Sequence, residues 1–230
     1  MSDQVSVIVP TFNEAPNLPT LSERLVAAME PTGWGWEMVV VDDNSPDGTA
    51  DVAEQLSQNF PIKVVRRQGK QGLATAVLAG FEASSGDIIG VMDADLSHPP
   101  ETVPELIGAV LEGATIAVGS RYVPGGGVKD WPRWRRFNSW FANLLAKPIV
   151  GMHDATSGFF FGQREHLVNT PIGATGFKIG LEYYVRTPRR GIIEVPYMFT
   201  DREFGTSKFG SGEIAKYFTQ LMRLSRVRRG

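Results

Sequence analysis

Short runs of β-branched and apolar residues alternate, in the first half of the chain, with segments in which apolar residues recur every three or four positions. The runs cover residues 5–9, 37–41, 62–65, 87–92 and 115–118, and they are typical of buried parallel strands. The helical patterns between them are Leu18, Leu21, Leu25 and Met29; Val52 and Leu56; Leu73, Val77 and Phe81; and Val103, Leu106, Val110 and Leu111. This α/β alternation predicts a doubly wound, mostly parallel sheet, in which ligands bind beyond the carboxyl ends of the strands.

The second half of the chain has a less regular pattern. Residues 123–129 form a glycine-rich loop, and residues 159–161 and 192–199 are candidate strands. Two amphipathic helices are predicted from the apolar positions Trp134, Phe137, Phe141, Leu144 and Leu145, and from Ile214, Tyr217, Phe218, Leu221 and Met222. Because no linker, repeat or low-complexity segment interrupts the chain, we expect a single domain over residues 1–230.

Composition excludes several classes of site. The 230 residues are 42% hydrophobic and 21% charged, as in ordinary globular proteins, and the net charge of -2 does not favour nucleic-acid binding. The chain has no cysteine, which excludes thiolate zinc sites and cysteine nucleophiles, and it has only 3 histidines.

No signal-peptide pattern or 18-residue apolar stretch is present, so we expect a cytoplasmic or membrane-peripheral protein. The arginines of residues 223–230 are interpreted as a solvated helix end, with contact to an anionic membrane as the alternative.

The strongest candidate for chemistry is Asp93-Ala94-Asp95, at the end of the fourth strand-like run. Residues two apart in an extended segment face the same side, and two carboxylates at one point repel each other unless a cation lies between them. Such hard oxygen ligands suit Mg²⁺ or Mn²⁺. Alternatively, one aspartate caps a helix that begins near Pro99 and Pro100. We predict a divalent metal at Asp93 and Asp95.

A second acidic segment, Asp42-Asp43, ends the second run and precedes a turn-rich sequence, residues 44–48. We expect Asp42 to accept hydrogen bonds from a nucleoside and Ser45 to Gly48 to form the turn. Since no Walker-type loop or strand-opened G-x-G-x-x-G is present, metal and basic side chains must hold the phosphates of any nucleotide. The candidates are Arg121, Arg135, Arg202 and Lys208. Ser97-His98 and His153-Asp154 are interpreted as ordinary turn residues rather than as parts of a catalytic triad.

Eight segments, in this order, resemble one known family. They are VSVIVPTFNEAPNL, VVVDDNSPDGT, GKQGLATAVLAGF, GDIIGVMDADLSHPPE, VGSRYVPGG, TSGFFF, GFKIGLE and DREFGTSKFG. The set resembles the family-2 inverting glycosyltransferases with a GT-A fold, and most closely the dolichol-phosphate and polyprenol-phosphate mannose synthases. The pattern WP-x-x-R-x-x-x-S, here Trp131, Pro132, Arg135 and Ser139, is similar to the polyprenol-phosphate branch.

The resemblance implies a Rossmann-like doubly wound mixed sheet with a C-terminal amphipathic helix. Residues 1–122 would form the nucleotide-sugar-binding half, and residues 123–230 the acceptor-binding half. The donor pocket would consist of Pro10, Phe12, Glu14, Asp42, Asp93, Asp95, Arg202 and Lys208. The acceptor phosphate would lie at Arg121, Arg135 and Ser139. The catalytic set would be Asp95, Arg121, Arg202 and Lys208.

The sequence departs from the family pattern at one position and in one larger feature. Ser97 stands where relatives often have a glutamine that binds the metal, so it would be a weak ligand or act through water. Many relatives carry C-terminal membrane helices and this sequence has none, so it resembles the soluble members or else part of a longer chain.

The implied activity is transfer of mannose from GDP-mannose to a polyprenyl (dolichyl) phosphate, at the cytoplasmic face of a membrane, with an anchoring membrane protein as a possible partner. The alternative is a family member that uses another donor such as UDP-glucose. A magnesium-binding receiver domain is a distant alternative, since a strand and a helix precede the aspartate pair, and a nucleotidyltransferase is disfavoured because its glycine-rich N-terminal loop is absent.

Overall fold

The computed structural model describes residues 4–69, 72–172, 179–200 and 211–227. Seven strands form the central sheet in the order β3-β2-β1-β4-β7-β5-β8, and a second sheet pairs β6 with β9. The strands are β1 (Gln4–Thr11), β2 (Gly35–Asp42), β3 (Ile62–Arg66), β4 (Ile88–Val91), β5 (Ile116–Ser120), β6 (Gly127–Val128), β7 (Phe160–Gln163), β8 (Ile192–Pro196) and β9 (Met198–Phe199). Every strand predicted from the apolar runs is therefore present.

Helices cover both faces of the sheet, as the alternating pattern predicts. They are α1 (Leu18–Met29), α2 (Thr49–Leu56), α3 (Leu73–Ala83), α4 (Val103–Leu111), α5 (Arg133–Val150), α6 (Arg164–Asn169), α7 (Ile179–Arg186) and α8 (Ser211–Val227). The apolar cluster on one face includes side chains of α1, α2 and α4, and the cluster on the other face includes side chains of α3, α5, α7 and α8. The fold prediction, an α/β doubly wound mixed sheet with a C-terminal helix, is confirmed.

The sheet is mixed because β7 runs antiparallel to its neighbours β4 and β5. Two glycines make room for aromatic side chains in this strand and just before it. A Cβ atom at Gly90 of β4 would lie 2.2 Å from the Phe161 ring, and one at Gly119 of β5 would lie 2.7 Å from the Phe159 ring. The reversed direction places the start of β7 at the same edge as the carboxyl ends of the parallel strands.

The candidate strand over residues 192–199 is in fact two strands. Pro196 ends β8, since proline has no N–H with which to continue the ladder. The chain then turns so that β9 pairs with β6, a short strand inside the glycine-rich loop 123–129. This crossing brings Tyr197 and Phe199 over the carboxyl edge of the sheet.

None of the helices within the described residues is long and apolar enough to cross a membrane.

Candidate active site

The carboxylate of Asp42 stabilises the turn that follows β2. It is only 2% exposed and accepts hydrogen bonds from the Thr11 hydroxyl, at 3.1 Å, and from the backbone N–H of Ser45, at 2.9 Å. Asn13 and Asn44, beside it, have positive φ angles of 63° and 60°. Strained backbone of this kind clusters at functional sites. The turn interpretation is confirmed, while a contact between Asp42 and a nucleoside stays a prediction.

Three further residues predicted to bind the donor lie at the carboxyl end of β1 or just after it. Pro10, Phe12 and Glu14 are all partly buried. The backbone N–H of Glu14 donates to the Thr49 hydroxyl at 3.0 Å, and its carboxylate accepts from the Asn17 amide at 2.6 Å. The first contact holds the loop after β1 against the start of α2, and the second holds it against the start of α1.

A buried ion pair that the sequence analysis did not predict lies next to this pocket. Arg67, after β3, pairs with Asp43 and donates to the Thr75 hydroxyl at 2.7 Å. Asp43 also accepts the N–H of Gly72 at 2.9 Å. The pair therefore ties the connection between β3 and α3 to the end of β2.

Asp93 and Asp95 follow β4 directly, and their environments differ. The Asp93 side chain is 43% exposed, whereas Asp95 is 5% exposed. Asp95 Oδ1 accepts both the N–H and the hydroxyl of Ser97, at 3.1 Å and 2.5 Å. Leu96, between Asp95 and Ser97, has a positive φ of 61°, which a leucine adopts only under strain. The turn thus orients one carboxylate while leaving the other open.

The helix-capping alternative for these aspartates is wrong. The short helix over Pro100–Thr102 has Pro99 at its N-cap and no side-chain cap. Within the described residues, no group of three or more histidine, cysteine, aspartate or glutamate side chains is arranged so that it could hold a metal ion. Two carboxylates alone fit a hard cation whose other positions are filled by water or phosphate oxygens. A ligand role for Ser97, whose hydroxyl donates to Asp95, stays a prediction.

His98 is a hydrogen-bonded turn residue, as the sequence analysis expects. Its Nδ1 accepts the backbone N–H of Asp93 at 3.0 Å, which places the proton of a neutral ring on Nε2. The ring is buried and stacks on Phe159 with centroids 4.7 Å apart. The segment that carries the two aspartates is therefore fixed to the start of β7.

Arg121, which follows β5, is held by a buried carboxylate. Its Nε and one terminal nitrogen donate to the two oxygens of Asp154, both at 2.7 Å, and Asp154 is 0% exposed. Burial alone would raise the pKa of Asp154, but the guanidinium and the hydrogen bonds outweigh it and hold that pKa below its usual range. Arg121 also donates to the Thr156 hydroxyl at 2.8 Å. Its guanidinium is thus rigidly placed at the sheet edge.

Asp154 is the main functional candidate that the sequence analysis missed. Its own N–H and that of His153 donate to Glu194, at 2.9 Å and 2.8 Å, and Glu194 belongs to β8. The side-chain amide of Asn143, in α5, donates to the Asp154 carboxylate at 3.5 Å, and its oxygen accepts the N–H of Thr156 at 3.1 Å. No local pattern around His153-Asp154 indicates this role, because every partner lies on another element.

Arg135 reaches the same region from α5. Its guanidinium carbon lies 4.2 Å from the centre of the Trp131 ring, and that of Arg121 lies 5.5 Å from it. Ser139, one turn further along α5, is partly buried, and its carbonyl accepts from the Asn143 amide at 3.1 Å. The structure therefore brings Arg121 and Arg135 together at one aromatic ring. The predicted residues Arg202 and Lys208 lie outside the described residues.

Comparison with known proteins places this arrangement in context. The model of the family described as glycosyl transferase family 2 matches residues 6–173. A dolichol-phosphate mannosyltransferase of Saccharomyces cerevisiae is 41% identical over 97% of this chain and 88% of its own length. The polyprenol monophosphomannose synthase of Mycolicibacterium smegmatis is 40% identical over 90% of this chain and 82% of its own.

A third relative is longer than this chain. The dolichol-phosphate mannosyltransferase of Pyrococcus furiosus is 42% identical over 96% of this chain, which spans 63% of that protein. Among solved structures, glucosyl-3-phosphoglycerate synthase of Mycobacterium tuberculosis, in complex with Mn²⁺, UDP and phosphoglyceric acid, has the same fold. It superposes with a TM-score of 0.69 at 24% identity, over 99% of this chain and 79% of that one.

Proposed function

This chain belongs to glycosyl transferase family 2, and from that premise we propose that it transfers mannose from GDP-mannose to a polyprenyl (dolichyl) monophosphate. The observation that carries the proposal is the similarity, at about 40% identity over nearly the whole chain, to proteins named for mannosyl transfer to dolichol phosphate. UDP-glucose is the less favoured donor, since the glucosyl-3-phosphoglycerate synthase solved with UDP is only 24% identical to this chain, far less than the mannosyltransferases. A seven-stranded mixed sheet and these relatives do not favour a receiver domain.

Asp93 and Asp95 would hold Mg²⁺ or Mn²⁺ at the donor diphosphate. A divalent cation bound there neutralises the charge that develops on the departing diphosphate. The Asp93 side chain is 43% exposed and so accessible to a cation, and Ser97 keeps the Asp95 carboxylate in one orientation. The chain thus supplies one oriented and one accessible carboxylate.

Arg121 and Arg135, with Ser139, would bind the phosphate of the acceptor. A phosphate monoester has a second pKa near 6, so it is mostly a dianion at neutral pH and needs no general base. What it needs is position, which the fixed Arg121 guanidinium supplies. One phosphate oxygen attacks the anomeric carbon as the bond to the diphosphate breaks. In-line attack inverts that carbon, so an α-linked donor gives the polyprenyl-phosphate β-mannose.

The direct test is transfer by the purified chain. Mn²⁺ or Mg²⁺, a short polyprenyl phosphate and either GDP-mannose or UDP-glucose are supplied in parallel, and the lipid product is identified by mass spectrometry. We expect a mannosyl-phosphate lipid from GDP-mannose that is lost on adding EDTA. Product from UDP-glucose alone would contradict the mannosyl donor but keep the reaction class, and no product from either would contradict the proposal.

A peripheral location on the cytoplasmic face of a membrane also belongs to this proposal. One side of α5 exposes a set of large apolar side chains: Trp134, Phe137, Trp140, Phe141 and Leu144. The opposite side of the helix packs into the core through Ala146 and Val150. An exposed aromatic face next to a site for a lipid phosphate fits the interfacial region of a bilayer.

Charged residues on this face are expected to weaken vesicle binding. Phe137→Glu with Trp140→Glu removes two exposed aromatic rings that would enter the interface, and a loss of roughly tenfold or more in vesicle affinity follows from the lost apolar burial. Co-sedimentation with polyprenyl-phosphate vesicles measures it. Val168→Glu, an exposed apolar position on α6, is the matched control. Unchanged binding of the double variant would rule out α5 as the docking face.

A further inference from the structure

The ring of Trp131 is central to the candidate acceptor site. It is 8% exposed and lies in the segment before α5. The guanidinium carbons of Arg135 and Arg121 lie 4.2 Å and 5.5 Å from its centre, and the Phe199 ring meets it edge-on at 5.0 Å. The electron-rich faces of an indole attract cations, which favours both guanidinium groups at this ring.

The indole N–H of this residue is buried, and within the described part of the chain it has no hydrogen-bond partner. A buried donor without a partner is rare in folded proteins and costs free energy. The hydroxyl of Tyr122, whose ring lies 5.6 Å from the Arg121 guanidinium carbon, is buried and unpaired in the same way. Both unpaired groups belong to rings whose centres lie 5.6 Å and 5.5 Å from the Arg121 guanidinium carbon, where an anionic acceptor of hydrogen bonds would suit them.

The start of α5 has the same preference for an anion. Its N-cap is Pro132, and no side chain caps the helix, so its first N–H groups are not satisfied by a side chain. The N-terminus of an 18-residue helix carries partial positive charge and suits a phosphate. Trp131 directly precedes the N-cap Pro132 in the chain, and its ring also contacts Arg121.

We propose that the indole N–H of Trp131 donates a hydrogen bond to the phosphate of the acceptor, so that Trp131 is a phosphate-binding residue as well as the platform for Arg121 and Arg135. An indole N–H is a donor only, which suits an oxygen that carries negative charge. Because the N–H is covered, a neighbouring side chain must move as the phosphate enters. The inference rests on the proposed acceptor.

The test separates the N–H from the ring. Trp131→Phe keeps an aromatic face for both arginines and removes the donor, so kcat/KM for the polyprenyl phosphate should fall roughly tenfold to a hundredfold, as for a lost hydrogen bond to a charged group. KM for GDP-mannose and the melting temperature should stay near those of the original protein. Trp36→Phe, at the start of β2, is the matched control.

Nuclear magnetic resonance supplies a readout besides activity. The chain has 5 tryptophans, and the indole resonance missing from Trp131→Phe identifies Trp131. Adding geranyl phosphate should shift that resonance downfield while the Trp36 resonance stays in place. If the original protein transfers mannose, but Trp131→Phe has the same kcat/KM for the polyprenyl phosphate and the resonance does not move, the role of Trp131 is overturned while the proposed function stands. If the original protein transfers no mannose, the proposed function fails first.

Discussion

Asp95→Ala is expected to abolish mannosyl transfer while leaving the fold intact. The substitution would remove one of the two proposed metal ligands, and losing a charge-stabilising contact of this kind lowers kcat by roughly a hundredfold or more. The Asp95 carboxylate accepts two local hydrogen bonds from Ser97, two residues away, and losing a hydrogen bond of this kind costs about 1 kcal/mol, so we expect the variant to remain folded. Mass spectrometry of the lipid product and a melting curve measure the two effects.

Metal affinity identifies the cause of that loss. Titration with Mn²⁺, followed by electron paramagnetic resonance, should show weaker binding by Asp95→Ala than by the original protein. Asp87→Ala is the matched control, because Asp87 is an exposed aspartate just before β4, at the end of the strand away from the site. Activity above a tenth of the original in Asp95→Ala, with Mn²⁺ affinity unchanged, would remove Asp95 from the site.

Arg121→Met should lose both activity and stability. Activity falls because the guanidinium would bind the acceptor phosphate. Stability falls because Asp154, which is 0% exposed, keeps a buried charge without its ion-pair partner. Breaking a buried pair costs about 3–5 kcal/mol, or roughly 10 °C in the melting temperature of a chain of this size.

A double variant separates the two losses. Asp154→Asn, added to Arg121→Met, removes the uncompensated charge, so part of the melting temperature should return while transfer stays absent. If the double variant regains transfer, Arg121 does not bind the acceptor. If Arg121→Met melts with the original protein, the buried pair does not stabilise the fold.

The pH dependence of stability provides an independent check on the same pair. In the original protein the pKa of Asp154 lies below its usual range, so the carboxylate is ionised in both folded and unfolded protein near neutral pH. In that range it does not make the free energy of unfolding depend on pH. Without Arg121, burial raises this pKa, and the folded state binds a proton more readily than the unfolded state. The melting temperature of Arg121→Met should therefore rise as the pH falls from about 8 to about 5.5, and that of the double variant should not.

Local sequence was sufficient to predict most of the fold and the segment that carries Asp93 and Asp95. Strands and helices of the first half follow from the period of their apolar residues, since each element must bury one face or one stripe. Asp93 and Asp95 are close in sequence, and their shared location needs only the end of one strand. The same holds for the turn that Asp42 caps, because its partner Ser45 is three residues away.

Only the tertiary structure decided how the candidate acceptor site is built. Asp154 meets Arg121 across 33 residues because β7 enters the sheet antiparallel, and Trp131 meets Arg121 and Arg135 because the chain turns between β5 and α5. The single run over residues 192–199 became two strands once Pro196 ended the ladder. Apolar periodicity reports which face of an element is buried, but it carries no information on which distant polar group that face meets. The ion pair is a long-range contact, so the sequence named both arginines, and Trp131 in the same pattern as Arg135, but gave no sign that the Asp154 carboxylate positions Arg121.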